Sequence, residues 1–285
     1  MAEISAKDVK SLREQTGAGM MDCKRALQDA GGDVSKAVEV LRERGLAKAG
    51  KREGRATSEG VIAISLTGTA GGMIELGCET DFVARTDDFA SLAEGLAGAV
   101  AADAGVDTAE ALQDASVAGE KVADKVVAAI SKLGENVVVK RVARLSVESG
   151  CVGGYVHAGG KLGVLVGLEA GGGGDLEGLA KDVSMHVAAA DPSPVAVSRE
   201  GVDPTLLASE REIYKKQALA EGKPEKIIDR IVEGKLGKFV SEIALVEQSF
   251  VKDPDRKVGS LLPDGVTVTG FERFVLGQGE DAESE

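Results

Sequence analysis

Gly60-Val61-Ile62-Ala63-Ile64-Ser65-Leu66 alternates as a β-strand, and Met73-Ile74-Glu75-Leu76 follows it across a Gly-rich turn. A helical segment over roughly 88–102 comes next. The same order returns later in the chain. Gly154-Tyr155-Val156-His157 is followed by Leu162-Gly163-Val164-Leu165-Val166 and then by a helix from Asp175 to Ala190. The two helices align directly, Leu92-Ala93 with Leu179-Ala180 and Val100-Ala101-Ala102 with Val187-Ala188-Ala189. A hairpin with a helix on one face is an α+β unit, and two copies predict duplicated subdomains.

Working outward, a helix between the copies carries Val122, Val126, Ile130 and Leu133 and is closed by Gly134; Val137 to Leu145 then reads as a strand. Upstream, residues 5–45 read as three short helices. Ser5 with Asp8 makes a capping-box start, Gly17 stops the first helix, and Gly31-Gly32 stops the second. Asp33 caps the third, which is expected to end near Gly45. A unit this small has a marginal core, which suits a binding head with a ubiquitin-associated-type fold. Residues 46–59 hold Lys48, Lys51, Arg52 and Arg55 among Ala and Gly. They read as a solvated tether rather than a nucleic-acid patch, because the run is short and the chain is acidic.

Downstream, Asp203-Pro204 is an N-cap and N1 pair. The helix it starts runs to about Ala220, and Gly222-Lys223-Pro224 breaks it before a second helix with Ile228, Ile231, Val232, Leu236, Phe239, Val240 and Ile243. The pair predicts an antiparallel helical hairpin projecting from the core. Its apolar stripe reads as a coiled-coil seam closed within one chain, with a homodimer contact as the alternative. Val266 to Phe274 reads as a strand, and the acidic tail from Gly277 to Glu285 as disordered. The expected units are therefore 1–55, 56–150, 151–202, 203–245 and 246–285.

Composition narrows the function. At 285 residues and 43% hydrophobic, the chain can build more than one core, but 3% aromatics and no Trp leave Val, Leu, Ile and Ala to fill them. A net charge of −13 argues against a nucleic-acid binder, which needs a basic surface, and suits a protein partner. No stretch approaches 18 continuous apolar residues, and the start Met1-Ala2-Glu3-Ile4 lacks signal-peptide features. Cys23, Cys78 and Cys151 are odd in number and lack CxxC spacing, so a reducing cytoplasm is expected. His157 and His186 sit in no nucleophile or zinc motif, and the Gly-rich stretches Gly71-Gly72 and Gly171-Gly172-Gly173-Gly174 lack the Lys-Ser/Thr of a P-loop. These absences move weight from an enzyme towards a binding protein without cofactor or metal.

Two stretches carry a family resemblance. Thr16-Gly17-Ala18-Gly19-Met20-Met21-Asp22-Cys23-Lys24-Arg25-Ala26-Leu27 closely resembles the N-terminal signature of the elongation factor Ts family, and Glu79-Thr80-Asp81-Phe82-Val83-Ala84 resembles its second signature. Lys132-Leu133-Gly134-Glu135-Asn136, Met185-His186-Val187-Ala188-Ala189, Val232-Glu233-Gly234-Lys235 and Val268-Thr269-Gly270-Phe271 are supporting matches, so the resemblance spans essentially the whole chain. It implies a guanine-nucleotide exchange factor that binds elongation factor Tu, GDP-bound and nucleotide-free. Such a factor disturbs the magnesium and phosphate site of the GTPase and needs no nucleotide site of its own.

The resemblance also assigns residues. Thr80, Asp81, Phe82 and Val83 form the wedge beside the partner's magnesium site, although from pattern alone Phe82 packs under the following helix equally well. Arg13, Met20, Met21 and Lys24 belong to the region gripping a helix of the GTPase; without the resemblance, one Met is core and the other exposed. Cys23 reads as core. Leu162, Gly163 and His186 belong to the face of the second subdomain that meets the partner, although a core or edge position is the commoner fate of such a histidine. The competing function, suggested by the three-helix unit alone, is an adaptor for ubiquitin-like or other proteins. The Asp81-Phe82 loop, which has no counterpart in the second copy, disfavours it.

Overall fold

The computed structural model describes residues 4–170 and 175–278. The acidic tail beyond residue 278 and the Gly-rich run 171–174 lie outside the described residues. The chain mixes helix and sheet, an α+β protein.

Helices α1 (Ala6–Thr16), α2 (Met20–Asp29) and α3 (Val34–Gly50) form the N-terminal unit. The capping box forms as read: Ser5 Oγ accepts from the Asp8 N–H, and the Asp8 carboxylate accepts from the Ser5 N–H. Val9, Leu12, Cys23, Ala26, Leu27 and Ala37 close a small core.

The structure corrects the expected end of α3 and the tether after it. Gly45 does not stop α3, which continues to Gly50. Gly45 instead faces helix α7 (Val122–Leu133), where a β-carbon would stand 3.4 Å from Val127 Cγ1. Its missing side chain lets two helices approach; Arg42 pairs with Asp124 across the same contact. Residues 51–54 form a turn, and Arg55 pairs with Glu79 at 3.3 Å. The three-helix unit is thus docked on the core: α3 takes up the first part of the segment expected to be a tether, and Arg55 is held by Glu79, while residues 53–56 stay exposed.

The core holds two antiparallel sheets. The first has the order β1 (Glu59–Leu66), β2 (Ala70–Cys78), β5 (Val137–Ser146). Between β2 and β5 lie α4 (Asp81–Ala84), α5 (Asp87–Ala102), α6 (Ala109–Asp114), the small hairpin of β3 (Ser116–Val117) and β4 (Glu120–Lys121), and α7. The second sheet starts with β6 (Gly150–Val156) and β7 (Leu162–Ala170), followed by α8 (Leu176–Ala189). After α8 come α9 (Pro204–Ala220), α10 (Glu225–Ile243) and a short pair of strands, β8 (Ser249–Phe250) and β9 (Asp253–Lys257). Strand β10 (Val266–Val275) then returns to complete the order β10-β7-β6.

Alternation along the strands builds four layers. Ile74 and Leu76 of β2 face Phe89, Ala93, Leu96 and Val100 of α5. Val164, Val166 and Leu168 of β7 face Ala180, Val183 and Val187 of α8. The remaining faces meet each other through Ile62, Met73, Val152, Leu165 and Phe274. Glycine sets how closely these layers pack. A β-carbon on Gly72 would lie 2.3 Å from the Ala97 carbonyl oxygen and 2.4 Å from the Ala101 nitrogen, both on the backbone of α5. One buried ion pair ties the layers at their edge. Glu75, 2% exposed, accepts from Arg141 Nε at 2.7 Å and from the Gly277 N–H at 2.9 Å. Arg141 also donates to the Val275 carbonyl at 2.7 Å and lies 4.0 Å above the Phe274 ring.

The helical hairpin packs mainly on itself. Asp203 caps α9, Pro204 opens it, and Gly222 turns the chain at a φ of 68°. Ala218, Ile228, Val232 and Leu236 form its seam, and Ala196, Val202, Val240, Ile243 and Ala244 its root. Buried His186 on α8 joins this root to the core. Gln248 Nε2 donates to the carbonyls of Pro192 (2.9 Å) and Glu242 (2.7 Å), so its Oε1 must face the imidazole. His186 Nε2–H therefore donates to Gln248 Oε1 at 3.0 Å, and Nδ1 accepts the Val251 N–H at 3.2 Å. The ring is a neutral tautomer with no free nitrogen.

Two outcomes follow from this packing. Gly72→Ala should destabilise the protein by about 3 kcal/mol, since the obstructing atoms are helix backbone, seen as a lower urea midpoint with an unchanged slope. Burial holds the His186 pKa below its ordinary 6.5, with the Gln248 bond opposing. The folded pKa is depressed, so below about pH 6.5 the unfolded chain binds the proton more readily and stability falls with acidification. Melting curves from pH 7.5 to 5.5 should show a falling midpoint. The variant His186→Gln should start lower and lose that part of the slope.

Candidate functional site

Strand β2 leaves the core at Cys78, and the next residues form a clamped turn. Val83 and Ala84 of α4 are buried in the first core, which rotates Asp81 and Phe82 outward on this single helical turn. Phe82 is 81% exposed, so the packed-under-the-helix alternative does not hold. Asp81 pairs with Arg85 at 2.9 Å on the surface. An exposed i,i+4 pair of this kind contributes little to stability and opens readily.

Thr80 has every polar group engaged. Its N–H donates to Glu135 Oε2 at 2.9 Å and its hydroxyl to Glu135 Oε1 at 2.6 Å. The hydroxyl oxygen accepts the Val83 N–H as the N-cap of α4. The Thr80 carbonyl accepts from Cys78 Sγ at 3.2 Å and from the Ala84 N–H. Beside it, Glu79 Oε1 accepts the Asn136 N–H at 2.7 Å, and Asn136 Nδ2 donates to the Arg55 carbonyl at 3.1 Å. The Asn136 amide, with help from the Arg55 guanidinium and against desolvation, holds the Glu79 carboxyl below the usual carboxylate range. Burial and the neighbouring Glu135 charge push the Cys78 thiol up to about 11, so it stays protonated and inert at neutral pH.

The residues singled out in the N-terminal unit lie on its surface. Arg13 and Lys24 are exposed, and Met20 and Met21 are 54% and 62% exposed, so neither Met is core. Cys23 is fully buried, as its position on the apolar side of α2 implied. Lys132 connects this unit with the Phe82 region. Its side chain runs past Gly17, at the turn between α1 and α2, and its Nζ bonds Asp88 of α5 at 2.7 Å. The docked three-helix unit is therefore held beside the helix that follows Phe82.

Corrections fall on the second sheet. His186 is 1% exposed and has both ring nitrogens satisfied inside the protein, so it is not a surface contact. Gly163 is also buried, and a β-carbon there would stand 2.5 Å from Ile62 Cγ2, so its work is sheet-to-sheet approach. Leu162 is half-buried at the start of β7. The exposed group at this end is His157, whose Nδ1 lies 2.9 Å from the Tyr155 hydroxyl. Its place in the Gly159-Gly160 turn was the available signal. Glu135 and Asn136, which brace the Phe82 turn, were visible only as part of a matching run.

Among the described residues, no group of three or more His, Cys, Asp or Glu is placed to hold a metal ion, and no helix is long and apolar enough to cross a membrane.

A model of the family described as Elongation factor TS matches residues 79–278, from the Phe82 turn to the end of the described chain. The chain is 46% identical over 290 residues to Elongation factor Ts of Chlorobium phaeobacteroides, covering 97% of this chain and 100% of that one. Elongation factor Ts of Methylococcus capsulatus is 46% identical over 283 residues, covering 98% and 94%. Elongation factor Ts of Clostridium perfringens is 44% identical over 293 residues, covering 99% and 96%. With both signatures, the clamped Phe82 turn and near-complete coverage in agreement, the chain belongs to the elongation factor Ts family of translation elongation factors.

Proposed function

We propose that this chain is a guanine-nucleotide exchange factor for elongation factor Tu. It binds the GDP-bound GTPase, disturbs its magnesium and phosphate site, and releases GDP so that GTP can load. It makes and breaks no covalent bond and holds no nucleotide or metal of its own. The observation that carries this reading is Phe82, an aromatic ring 81% exposed on a turn whose backbone is fixed.

An exposed phenyl ring gains free energy when a partner buries it, about 2 kcal/mol or more for an interface anchor. A fixed turn keeps that gain from being spent on ordering a loop. Asp81 brings a carboxylate to the same place, where it can compete for charges around a magnesium ion. By linkage, preference for the nucleotide-free GTPase weakens GDP to the same degree. Reversing a 1:99 population takes about 5.5 kcal/mol, more than one anchor supplies. The other surfaces supply the rest: Arg13, Met20, Met21 and Lys24 on the N-terminal unit, which we read as ubiquitin-associated-like, and Leu162 with the His157 turn on the second sheet. Three free, buried cysteines fit a reducing cytoplasm as its place of action.

Stopped-flow release of labelled GDP from elongation factor Tu tests the reading. Phe82→Ala should slow release at saturating protein by about 30-fold, the equivalent of a 2 kcal/mol anchor. Its thermal midpoint should stay unchanged, because the ring it removes is exposed. Full-speed release by this variant sinks the wedge assignment. The double change Met20→Ser with Met21→Ser should act differently. It should raise the half-saturating concentration by about tenfold while leaving the saturating rate intact; a lowered saturating rate would place these residues in the release step instead.

A further inference from the structure

We propose that Glu135 is a positioning residue for the exchange step: its carboxylate, bridging the N–H and hydroxyl of Thr80, fixes the turn that presents Phe82. This rests on the exchange reading above and adds to it the group that makes the wedge rigid.

The argument begins with the shortness of α4. Four residues, Asp81–Ala84, cannot hold a helical turn unaided, because nucleation fixes several dihedrals for one hydrogen bond. Something outside the turn must hold it. The register of β2 with β5 brings that support into place. Cys78 stands opposite Val137, the last pair of the antiparallel ladder. One step further, Glu79 stands opposite Asn136, and the next step sets Thr80 against Glu135. There the chain stops pairing backbone to backbone. Side chains continue the contact: Glu79 Oε1 takes the Asn136 N–H at 2.7 Å, and Glu135 takes the Thr80 N–H at 2.9 Å and its hydroxyl proton at 2.6 Å.

The two carboxylates do different work. Glu79 fastens the strand end to the loop before β5. Glu135 acts on the N-cap itself. By accepting the hydroxyl's hydrogen bond, it fixes the O–H rotor so that the Thr80 oxygen's lone pairs face the Val83 N–H, the bond that starts α4. Thr80 is covalently joined to Asp81, and Phe82 is the next residue. Without the carboxylate, both the direction of the chain entering α4 and the rotor of its cap are released. Glu135 itself need not touch the partner. The cost of losing it comes from misplacing a ring that must enter a defined pocket, where an error near 1 Å is worth up to roughly a hundredfold in rate.

The chain contains no Trp, so Phe82→Trp creates a single fluorescent reporter at the wedge. Glu135→Ala should lower the saturating rate of GDP release by roughly ten- to a hundredfold while shifting half-saturation by less than about twofold. Glu135→Gln, which keeps one acceptor in place, should fall between. In the Phe82→Trp background, Glu135→Ala should lower the anisotropy of the Trp at position 82, which a purely stabilising role elsewhere would leave unmoved. If Glu135→Ala lacks a cooperative melt, Thr80→Val carries the test, since it removes the bridged hydroxyl and keeps the side-chain shape; full-speed release by it overturns the proposal. Slow release by Phe82→Ala beside full-speed release by Glu135→Ala overturns the positioning role alone. Unchanged anisotropy also overturns it. Full-speed release by Phe82→Ala overturns the exchange reading, and this inference with it.

Discussion

Strand β2 is hydrogen-bonded on both edges and buried on both faces, all nine of its residues lying inside the protein. A strand in this position has no freedom to slip, since a shift of one residue would exchange Ile74 and Leu76, which meet α5, for Met73 and Glu75, which meet the other sheet. The sequence around it is selected for close approach on both sides. Gly72 admits the backbone of α5, while Gly71 would place a β-carbon 2.8 Å from Val152 Cγ1 of the second sheet. Glu75 is a carboxylate in this interior, tolerable because Arg141 and a backbone N–H both meet it. Removing one partner of such a pair leaves a buried charge, so the pair fixes the register of β5 as well as joining it to the end of β10.

That fixed strand explains where the exposed aromatic ring sits. The chain can expose Phe82 at little risk of collapse only if the turn cannot fold back. Val83 and Ala84 are already seated in the first core, and Thr80 is held by the loop before β5. The ring is left with the direction opposite to the core. A flexible loop carrying the same Phe would bury it against its own surface and would have to give up that contact, with added ordering, on meeting a partner. In the proposed exchange function, rigidity at the root of the Phe82 turn bears on affinity and on the release step together, whereas the Met20 and Met21 patch, built of adaptable side chains, bears mainly on affinity.

Local patterns made most of this legible. Alternation identified the strands, Ser5, Asp33 and Asp203 marked helix starts, and Gly17 and Gly134 marked ends, because each depends on neighbours within a few residues. Readings failed where a distant partner decides. Gly45 resembles a helix stop, yet Val127 across the α3–α7 contact makes it a packing position. The resemblance set His186 on the partner-facing side, yet its own partners Gln248 and Val251 lie 62 and 65 residues further on, and it takes the buried place that its pattern alone favoured. The Glu135 brace spans 55 residues to Thr80 and cannot be seen in a local window. The short elements α4, α6, β3, β4, β8 and β9 were missed because their stability comes from contacts with longer elements rather than from a periodic pattern.

Comparison of the two halves extends the repeat beyond the hairpin and helix visible in sequence. In each half the chain makes two strands and a helix, leaves on a long excursion, and returns with a third strand laid antiparallel against the middle one, β5 on β2 and β10 on β7. The excursions differ entirely: α6, a small hairpin and α7 in the first, the long α9–α10 hairpin in the second. The first packs back on its own sheet and helix through Leu112, Val122 and Ile130, whereas the second closes on itself through Ala218, Ile228, Val232 and Leu236. In the first half the returning end is Gly134-Glu135-Asn136, delivered by the αL glycine that stops α7 and aligned by the pairing of Val137 with Cys78. The strand pairing that completes the sheet thus also delivers the carboxylate that holds the Phe82 turn. An insertion between Gly134 and Val137 would break the register that brings Glu135 to Thr80.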